Sequence, residues 1–365
     1  MNRAITQWRS ENTAILLNDV LVEAVAKQLC KSYVLHGSML LLSSKAAADL
    51  ELLSTTTSTN IVQNLFCLIA EQLKISNIAV TQPIPLFDKV HHSANIVRAP
   101  SNFRPLYGDF GPETCNKPPA VEDFEAAYWV TAKQNGIAQT WAPRWTMFSR
   151  GNISEKSRLL TLPSVSDAVT QGKQDDRGCT AVDLYAGIGY FTFSYLRAGI
   201  DKVLCWDLNS WSIEGLKRGA AVNKWHAVQH QEGFDLSSTL KKDDEHLLLF
   251  NESNEHAISR ITSMRQQLPP IRHINCGLLP SSEASWSTAF KALDPTFGGW
   301  VHIHENFGAS EINVRAESVR KAFQIMLEKV GATNKEVHIE HVERVKTYAP
   351  DVWHCVVDLH VPPYR

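Results

Sequence analysis

The sequence has few of the features that mark several classes of protein. Its cysteines stand singly along the chain: Cys30, Cys67, Cys115, Cys179, Cys205, Cys276 and Cys355. With no C-x-x-C pair and no dense framework, neither a zinc ribbon nor a disulfide scaffold is predicted. No stretch approaches the roughly 20 apolar residues of a membrane span, and the first residues lack the apolar run of a signal peptide. We therefore expect a cytoplasmic protein with no membrane partner.

The sequence also lacks an excess of charge of either sign. It has 36 basic and 38 acidic side chains, which give a formal net charge of -2. This balance argues against a chain dominated by non-specific binding to polyanions. Any surface that binds nucleic acid is therefore expected to be a local patch.

The length of 365 residues predicts about two domains. Residues 1–100 mix helical and strand-like runs, which predicts a small N-terminal α/β domain. Residues 101–165 are rich in proline, glycine and aromatic side chains and are predicted to be a connecting segment. In residues 166–365, short apolar strands alternate with helices, a pattern typical of a doubly wound parallel sheet in the Rossmann-like α/β class.

Local patterns predict individual elements within these parts. Helical spacing indicates helices over residues 14–29, 61–73 and 123–135, the last of them ended by Gly136. Residues 33–42 alternate like a strand. Polar composition predicts surface loops at residues 170–178, 241–245 and 281–285.

The most informative motif lies in residues 180–194. An apolar strand ends at Asp183, Gly187 and Gly189 allow a tight turn with close approach to a ligand, and an amphipathic helix follows. Thr192 stands where a dinucleotide site has its third glycine, so NAD and FAD are disfavoured. A second strand ends at Asp207, at the spacing where a carboxylate can accept both ribose hydroxyls. The alternative is that the two acids only cap the turn and the next helix.

Polar residues also follow the third and fourth predicted strands. Asn251 and Glu252 come after residues 247–250 and could receive an adenine amino group, or they could form a helix cap. Asn275 lies near the end of a strand over residues 272–276. It could equally be a polar group of the site or a turn former.

Two histidines alternate in a later strand. His302 and His304 would share one face, as metal ligands often do. No third ligand stands at a matching spacing, and buried or exposed strand histidines are the commoner outcome. No metal site is predicted.

A basic and aromatic segment precedes the predicted sheet. It interleaves the following residues: Arg144, Arg150, Lys156 and Arg158 with Trp141, Trp145 and Phe148. Such a mixture suits phosphates and stacked bases. An ordinary aromatic hinge with solvated charges explains it equally well.

Taken together, these residues resemble the tRNA wybutosine-synthesising protein 2 family, which is related to the tRNA guanine-37 N1-methyltransferases. The shared signature is found in residues 141–143 (WAP), 147–152 (MFSRGN), 155–156 (EK) and 183–191 (DLYAGIGYF). Three segments resemble the fungal wybutosine branch in particular: 105–111 (PLYGDFG), 302–308 (HIHENFG) and 345–350 (VKTYAP). Residues 275–280 (NCGLLP) depart from the Asn-Leu-Pro usual in the methyltransferase branch.

The resemblance implies a class I methyltransferase-type sheet and an enzyme that uses S-adenosyl-L-methionine as a substrate. Its 3-amino-3-carboxypropyl group would pass to 4-demethylwyosine at position 37 in the anticodon loop of tRNA-Phe, releasing methylthioadenosine. The implied cofactor-binding residues are Ser149, Lys156, Asp183, Tyr185, Gly187, Gly189, Asp207, Asn251 and Glu252. Arg150 and Asn275 are the catalytic candidates, and a monomer is expected. Relatives often have Glu where this chain has Asp207, and the long stretch between Gly219 and Leu247 complicates placement of the third strand.

Two other functions are compatible with the sequence. A tRNA guanine-37 methyltransferase would share the fold and the cofactor, and would differ only in which carbon on sulfur faces the acceptor. A non-catalytic tRNA-binding protein would keep only a relic of the cofactor site. A nicotinamide dehydrogenase is a more distant alternative.

Overall fold

The computed structural model describes residues 1–13, 19–56, 59–80, 87–88, 93–95, 97, 100, 103–230 and 245–365. Their contacts divide the chain into two compact units. The first comprises Met1–Ala132 and Thr140–Phe148, and the second comprises Lys133–Gln139 and Ser149–Arg365. The domain boundaries predicted after residues 100 and 165 remain a proposal about separately folding parts. Among the described residues, no helix has both the length and the apolar content needed to cross a membrane.

The first unit is a small α/β structure. Its helices are α1 (Asn2–Glu11), α2 (Asp19–Lys31), α3 (Ser44–Thr56), α4 (Thr59–Leu73) and α5 (Val121–Ala126). Its strands are β1 (Tyr33–His36), β2 (Met39–Leu42), β3 (Asn77–Val80), β4 (Phe87–Asp88), β5 (Ser93–Ala94) and β6 (Arg104–Tyr107). One sheet has the order β1-β2-β3-β6, and β4 pairs with β5. Helix α4 confirms the helical spacing of residues 61–73, because Ile61, Leu65 and Ile69 are buried in this unit's core.

The helix predicted over residues 123–135 is wrong beyond residue 126. After α5, the chain forms β7 (Val130–Gln134) and β8 (Ile137–Trp141), which pair as a two-stranded hairpin. Asn135 and Gly136 join the two strands with φ angles of 52° and 76°. Two adjacent positive φ angles are those of a type I′ turn, for which Asn-Gly is the preferred sequence. The Asn-Gly pair was therefore a hairpin signal and not the end of a helix.

The second unit is a doubly wound α/β domain. Its helices are α6 (Ile153–Leu159), α7 (Pro163–Gln174), α8 (Thr192–Ala198), α9 (Ser210–Val222), α10 (Ala257–Met264), α11 (Trp286–Ala292) and α12 (Ile312–Lys329). Its strands are β9 (Thr180–Asp183), β10 (Lys202–Trp206), β11 (His226–Gln229), β12 (Glu245–Phe250), β13 (Ile271–Cys276), β14 (Gly299–Gly308), β15 (His338–Ala349) and β16 (Val352–Val361). They form one sheet in the order β11-β12-β10-β9-β13-β14-β16-β15. Strand β16 is antiparallel to both of its neighbours, and the other pairs are parallel.

Alternation along the strands builds two apolar layers, one on each face of the sheet. Val182 and Leu204 pack into the core that contains α10, α11 and α12. Their neighbours Ala181 and Val203 pack into the core that contains α7, α8 and α9. The strand order reverses between β9 and β13, so a crevice is expected outside the carboxyl ends of these two strands.

Two of the predicted surface loops differ from the structure. Residues 170–174 continue helix α7, whose Val165, Ala168 and Val169 are buried at helical spacing. The polar residues 170–174 hid this helical face in the sequence. Residues 281–285 are not an exposed loop, because Ser282 and Ser285 are buried. Residues 14–18 of the first predicted helix and residues 241–244 of the third predicted loop lie outside the described residues.

Candidate active site

Asp183 lies at the carboxyl end of β9, where it is paired in register with Asn275 of β13. Its carboxylate is fully buried and accepts hydrogen bonds from Asn275 Nδ2 at 3.0 Å and Thr192 Oγ1 at 2.9 Å. The Tyr185 N–H donates to it as well, at 3.4 Å. Burial raises the pKa of Asp183, while the donors around it oppose that shift. Asp183 therefore ties both strand ends to the glycine turn, and its direct contact with a cofactor stays a prediction.

The glycines of the turn have left-handed backbone conformations that residues with a side chain rarely adopt. Gly187 and Gly189 have φ angles of 54° and 88°. A Cβ atom on Gly187 would lie 2.6 Å from the Tyr190 ring, and one on Gly189 would lie 2.7 Å from the Phe193 ring. The turn therefore places backbone without side chains at the edge of the sheet. A nucleotide could approach this backbone closely.

Asp207 follows β10 at the same edge of the sheet. Its two carboxylate oxygens accept the N–H groups of Gly187 and Asn209, each at 2.8 Å. Burial raises the pKa of Asp207 to about 6, despite these two hydrogen bonds. A carboxylate oxygen can accept more than one hydrogen bond, so this capping role is compatible with binding two ribose hydroxyls.

Asn251 and Glu252 make local contacts after β12. Asn251 Nδ2 donates to the Asp207 carbonyl at 3.0 Å, and Ser210 Oγ donates to Asn251 Oδ1 at 2.6 Å. Glu252 binds Arg260 at 2.9 Å and accepts from Trp206 Nε1 at 3.3 Å. These contacts anchor the loop that follows β12, where Ser253 and not Asn251 or Glu252 is the N-cap of the next helical turn. An adenine contact stays a prediction.

Tyr185 directly precedes the glycine turn, and Ser149 belongs to the signature segment earlier in the chain. Burial raises the pKa of the Tyr185 hydroxyl, and the nearby polar side chains of Ser285 and Asn254 oppose that shift. The Ser149 N–H donates to the Tyr190 hydroxyl oxygen at 3.3 Å, which joins the signature segment to the glycine turn. Arg150 begins a short 3-10 turn, Arg150–Asn152, but its side chain lies outside what the structure describes.

Lys156 is buried, with 4% of its surface exposed. Its ammonium donates to Gln134 Oε1, to Gln139 Oε1 at 2.9 Å and to the Ser149 carbonyl at 3.5 Å. Burial, and secondarily the charge of Lys346, lowers the pKa of Lys156 to about 8. The cofactor contact that the resemblance implies for Lys156 stays a prediction. In the structure, Lys156 holds the residues on both sides of the β7–β8 turn and the Ser149 backbone together.

The basic and aromatic residues do not form one exposed patch. Trp141 is buried and stacks on Phe148, with ring centroids 4.4 Å apart. Arg158 binds Glu155 at 2.7 Å and Asp358 at 2.6 Å. These contacts favour the structural alternative for the residues that make them.

His302 and His304 share a face of β14, as predicted, and both belong to a buried polar network that sequence reasoning missed. His302 Nδ1 is 2.7 Å from Asp358 Oδ1, and His302 Nε2 is 3.0 Å from His273 Nδ1. His273 Nε2 donates to the Ser164 carbonyl at 3.2 Å, so its Nδ1 accepts from His302. Burial lowers the pKa of His273, which keeps this ring neutral. Hydrogen bonding therefore places a proton on both nitrogens of His302, beside the Asp358 carboxylate.

A second chain of hydrogen bonds runs from Asn275 along the same face. Asn275 Oδ1 is 3.2 Å from His304 Nε2, and His304 Nδ1 is 2.9 Å from His354 Nε2. The Asn275 amide is thus held between Asp183 and His304. As a catalytic candidate, Asn275 is better placed to position Asp183 than to contact a substrate.

No protein-family model matches the chain. The tRNA wybutosine-synthesizing protein 2 of Schizosaccharomyces pombe is 37% identical over 334 residues, which are 90% of this chain and 72% of that protein. The protein of the same name from Saccharomyces cerevisiae is 36% identical over 311 residues, or 79% of this chain and 60% of that protein. Among solved structures, Pyrococcus horikoshii TYW2 in complex with MeSAdo matches with a TM-score of 0.61 and 17% identity, covering 98% and 99% of the two chains. A complex of aTrm5 with tRNALeu matches with a TM-score of 0.55 and 15% identity, covering 93% and 78%.

The strand order, the glycine turn after β9 and the acid after β10 define a Rossmann-like domain of the class I methyltransferase type. The solved structures agree with this fold. The chain belongs to the tRNA wybutosine-synthesizing protein 2 family.

Proposed function

We propose that this protein transfers the 3-amino-3-carboxypropyl group of S-adenosylmethionine to 4-demethylwyosine at position 37 of tRNA-Phe. Membership of the wybutosine family supports the choice of reaction. The single structural observation that carries the proposal is the glycine turn, whose Gly187 N–H is held by Asp207 at the carboxyl edge of the sheet. This arrangement supplies both a bare backbone for a nucleoside and an acceptor for its ribose.

Related proteins support tRNA as the partner. The Pyrococcus horikoshii structure holds MeSAdo, and the aTrm5 structure holds a tRNA. The finer parts of the proposal are binding of the tRNA-Phe anticodon loop, action as a monomer and a cytoplasmic location. The isolated cysteines of the sequence support the location, since they suit a reducing compartment.

The sulfonium of S-adenosylmethionine supplies a carbon that is ready for transfer and a neutral thioether as the leaving group. The acceptor carbon of the base forms the new bond, the C–S bond to the arm breaks, and the acceptor's proton goes to solvent. No strong acid is needed, so the protein's task is to position the reactants. In this proposal Asp207 holds the ribose, and the turn of Gly187 and Gly189 approaches the nucleoside.

We expect Asp207→Ala to weaken binding of S-adenosylmethionine by about 1–3 kcal/mol, because two ribose hydroxyls lose a charged acceptor. The affinity of the unaltered chain should also fall as the pH is lowered through about 6, where Asp207 takes up a proton. Isothermal titration calorimetry at several pH values measures both effects.

Asp201→Ala is the matched control for this prediction. The Asp201 carboxylate also accepts a backbone N–H, from Cys179 at 2.7 Å, but it lies before β10 and not after it. We expect that variant to bind S-adenosylmethionine normally. Unchanged affinity in a folded Asp207→Ala variant would mean that Asp207 is only a cap.

Incubation with precursor-bearing tRNA-Phe and S-adenosylmethionine tests the activity. The proposal predicts modification of the tRNA that depends on S-adenosylmethionine and is reduced in Asp207→Ala. A chain that binds tRNA but neither binds S-adenosylmethionine nor modifies the tRNA would be a non-catalytic tRNA-binding protein instead.

A further inference from the structure

Several polar groups near the Arg150–Asn152 turn are unpaired within the part of the chain that the structure describes. Asn152 Oδ1, His354 Nδ1 and both polar side-chain atoms of Asn306 are buried and have no hydrogen-bond partner among the described residues. Leaving such a group buried and unpaired costs about 1–3 kcal/mol. A cluster of them is therefore a sign of a ligand.

The fold brings these groups to one place. Asn306 of β14 is paired in register with His354 of β16, and Lys346 of β15 is paired with His354 on its other side. Paired side chains share a face and have Cβ atoms about 5 Å apart. The Arg150–Asn152 turn packs on β15. There the Lys346 ammonium lies 2.7 Å from where a Cβ of Gly151 would be.

The hydrogen-bond chain from Asp183 determines what His354 presents to this place. Three donors surround the Asp183 carboxylate, so it is an acceptor, and the Asn275 oxygen points to His304. His304 Nε2 must then carry its proton, and its Nδ1 accepts from His354 Nε2. A neutral His354 is left with an unshared pair on Nδ1. Burial, and secondarily the charge of Lys346, lowers the pKa of His354 to about 4, which keeps this ring neutral.

The charge at this place is positive. Lys346 makes no ion pair with an acid among the described residues, and burial lowers its pKa. Its charge also lowers the pKa values of Lys156 and His354. An anionic group placed beside Lys346 would relieve this repulsion.

The four side chains together would bind a ligand that carries both N–H donors and an anionic acceptor. His354 Nδ1, Asn152 Oδ1 and Asn306 Oδ1 are acceptors that need N–H donors. Asn306 Nδ2 and the Lys346 ammonium are donors that need an anionic acceptor. An α-amino acid carries three N–H donors on its ammonium and an adjacent carboxylate, whereas a neutral base edge or a phosphate supplies only part of this set.

We propose that Asn152, Asn306, Lys346 and His354 bind the α-amino-acid end of the group that the enzyme transfers. The ammonium of the arm donates to His354 Nδ1 and the two amide oxygens, and its carboxylate accepts from Lys346 and Asn306. This assignment rests on the proposed function, because the amino-carboxypropyl arm of S-adenosylmethionine is the α-amino acid concerned. It would hold the arm, and not the methyl group, at the end of the sheet where the signature turn lies.

The test compares S-adenosylmethionine with methylthioadenosine, which has the same nucleoside but lacks the arm. In the unaltered protein, decarboxylated S-adenosylmethionine should bind about tenfold or more weakly than S-adenosylmethionine. Lys346→Met and Asn306→Leu should each weaken S-adenosylmethionine about tenfold or more and leave methylthioadenosine within about twofold. In Lys346→Met, S-adenosylmethionine and decarboxylated S-adenosylmethionine should bind with the same affinity.

The exposed residues Lys321 and Asn313 of α12 provide matched controls, and Lys321→Met and Asn313→Leu should change neither affinity. Equal weakening of both nucleosides would overturn the assignment. So would normal binding of S-adenosylmethionine with weakened binding of tRNA, since the cluster would then hold a backbone phosphate. If the unaltered protein bound neither nucleoside, the proposed function itself would fail, and this assignment with it. The comparison of ligands on the unaltered protein decides the question even if a variant does not fold.

Discussion

Asp358→Ala is expected to lower the free energy of unfolding by about 3–5 kcal/mol, the cost of removing one partner of a buried ion pair. Asp358 is 3% exposed, and it accepts from Arg158 at 2.6 Å and from His302 at 2.7 Å. Although burial alone would raise its pKa, His302 and Arg158 lower the pKa of Asp358 below its usual value. Without Asp358, the protonated His302 and part of the Arg158 guanidinium would be buried unpaired.

Urea denaturation of the variant measures this loss. Glu317→Ala is the control. Glu317 binds Arg320 at 2.7 Å, the same distance as in the Arg158–Glu155 pair, but this ion pair lies on the surface. Removing the Glu317 carboxylate should therefore change the free energy of unfolding little. Because the folded-state pKa of Asp358 is lowered, its contribution is present at neutral pH and is lost as the pH falls below about 4. If Asp358→Ala lowered the free energy of unfolding as little as Glu317→Ala, the contacts of Asp358 with Arg158 and His302 would not stabilise the packing of α6 on the sheet.

Gly189→Ala is expected to abolish most binding of S-adenosylmethionine. At a φ of 88° the alanine would be strained, and its Cβ would lie 2.7 Å from the ring of the fully buried Phe193. Strain contributes about 1–2 kcal/mol and overpacking about 1–3 kcal/mol. A shift of the turn that relieved this contact would move the backbone of Gly187 and Gly189 away from the nucleoside.

Gly331→Ala separates the two causes. Gly331 has nearly the same φ, 89°, but a Cβ there would meet nothing within 4 Å. Calorimetry and thermal unfolding of both variants should show a stability loss in each, with a loss of affinity of about tenfold or more only in Gly189→Ala. Normal affinity in Gly189→Ala would remove the glycine turn from the proposed site.

Strands β9 and β10 of the second unit could be predicted because each is a continuous apolar run in the sequence. The apolar runs that end at Asp183 and Trp206 are buried on both faces, and such strands read as continuous hydrophobic segments. The glycine turn and Asp207 follow these strands directly, so their common position at one edge of the sheet could also be predicted. Asn135 and Gly136 carry a signal for the β7–β8 hairpin, but the helical spacing of the residues before them favours a helix.

The buried polar network could not be predicted, because its members are distant in sequence. Arg158 and Asp358 are separated by 200 positions. Only the sheet order, which places β16 beside β14, brings Asp358 opposite His302. Alternating polar residues in strands otherwise predict a solvated face, yet here α6 covers that face and supplies Arg158 as the partner. The contacts of Lys156 could not be predicted either, since its acceptors Gln134 and Gln139 lie in a hairpin that the sequence pattern did not predict.

The central claim is that the arm of S-adenosylmethionine, and not its methyl group, is transferred to tRNA. The most direct measurement is chromatography of the nucleoside released when the protein acts on precursor-bearing tRNA-Phe with cofactor labelled in the arm and in the methyl group. We predict that methylthioadenosine is released in step with modification and that only the arm label enters the tRNA. Accumulation of S-adenosylhomocysteine, with methyl label in the tRNA, would contradict this account and make the protein a tRNA guanine-37 methyltransferase.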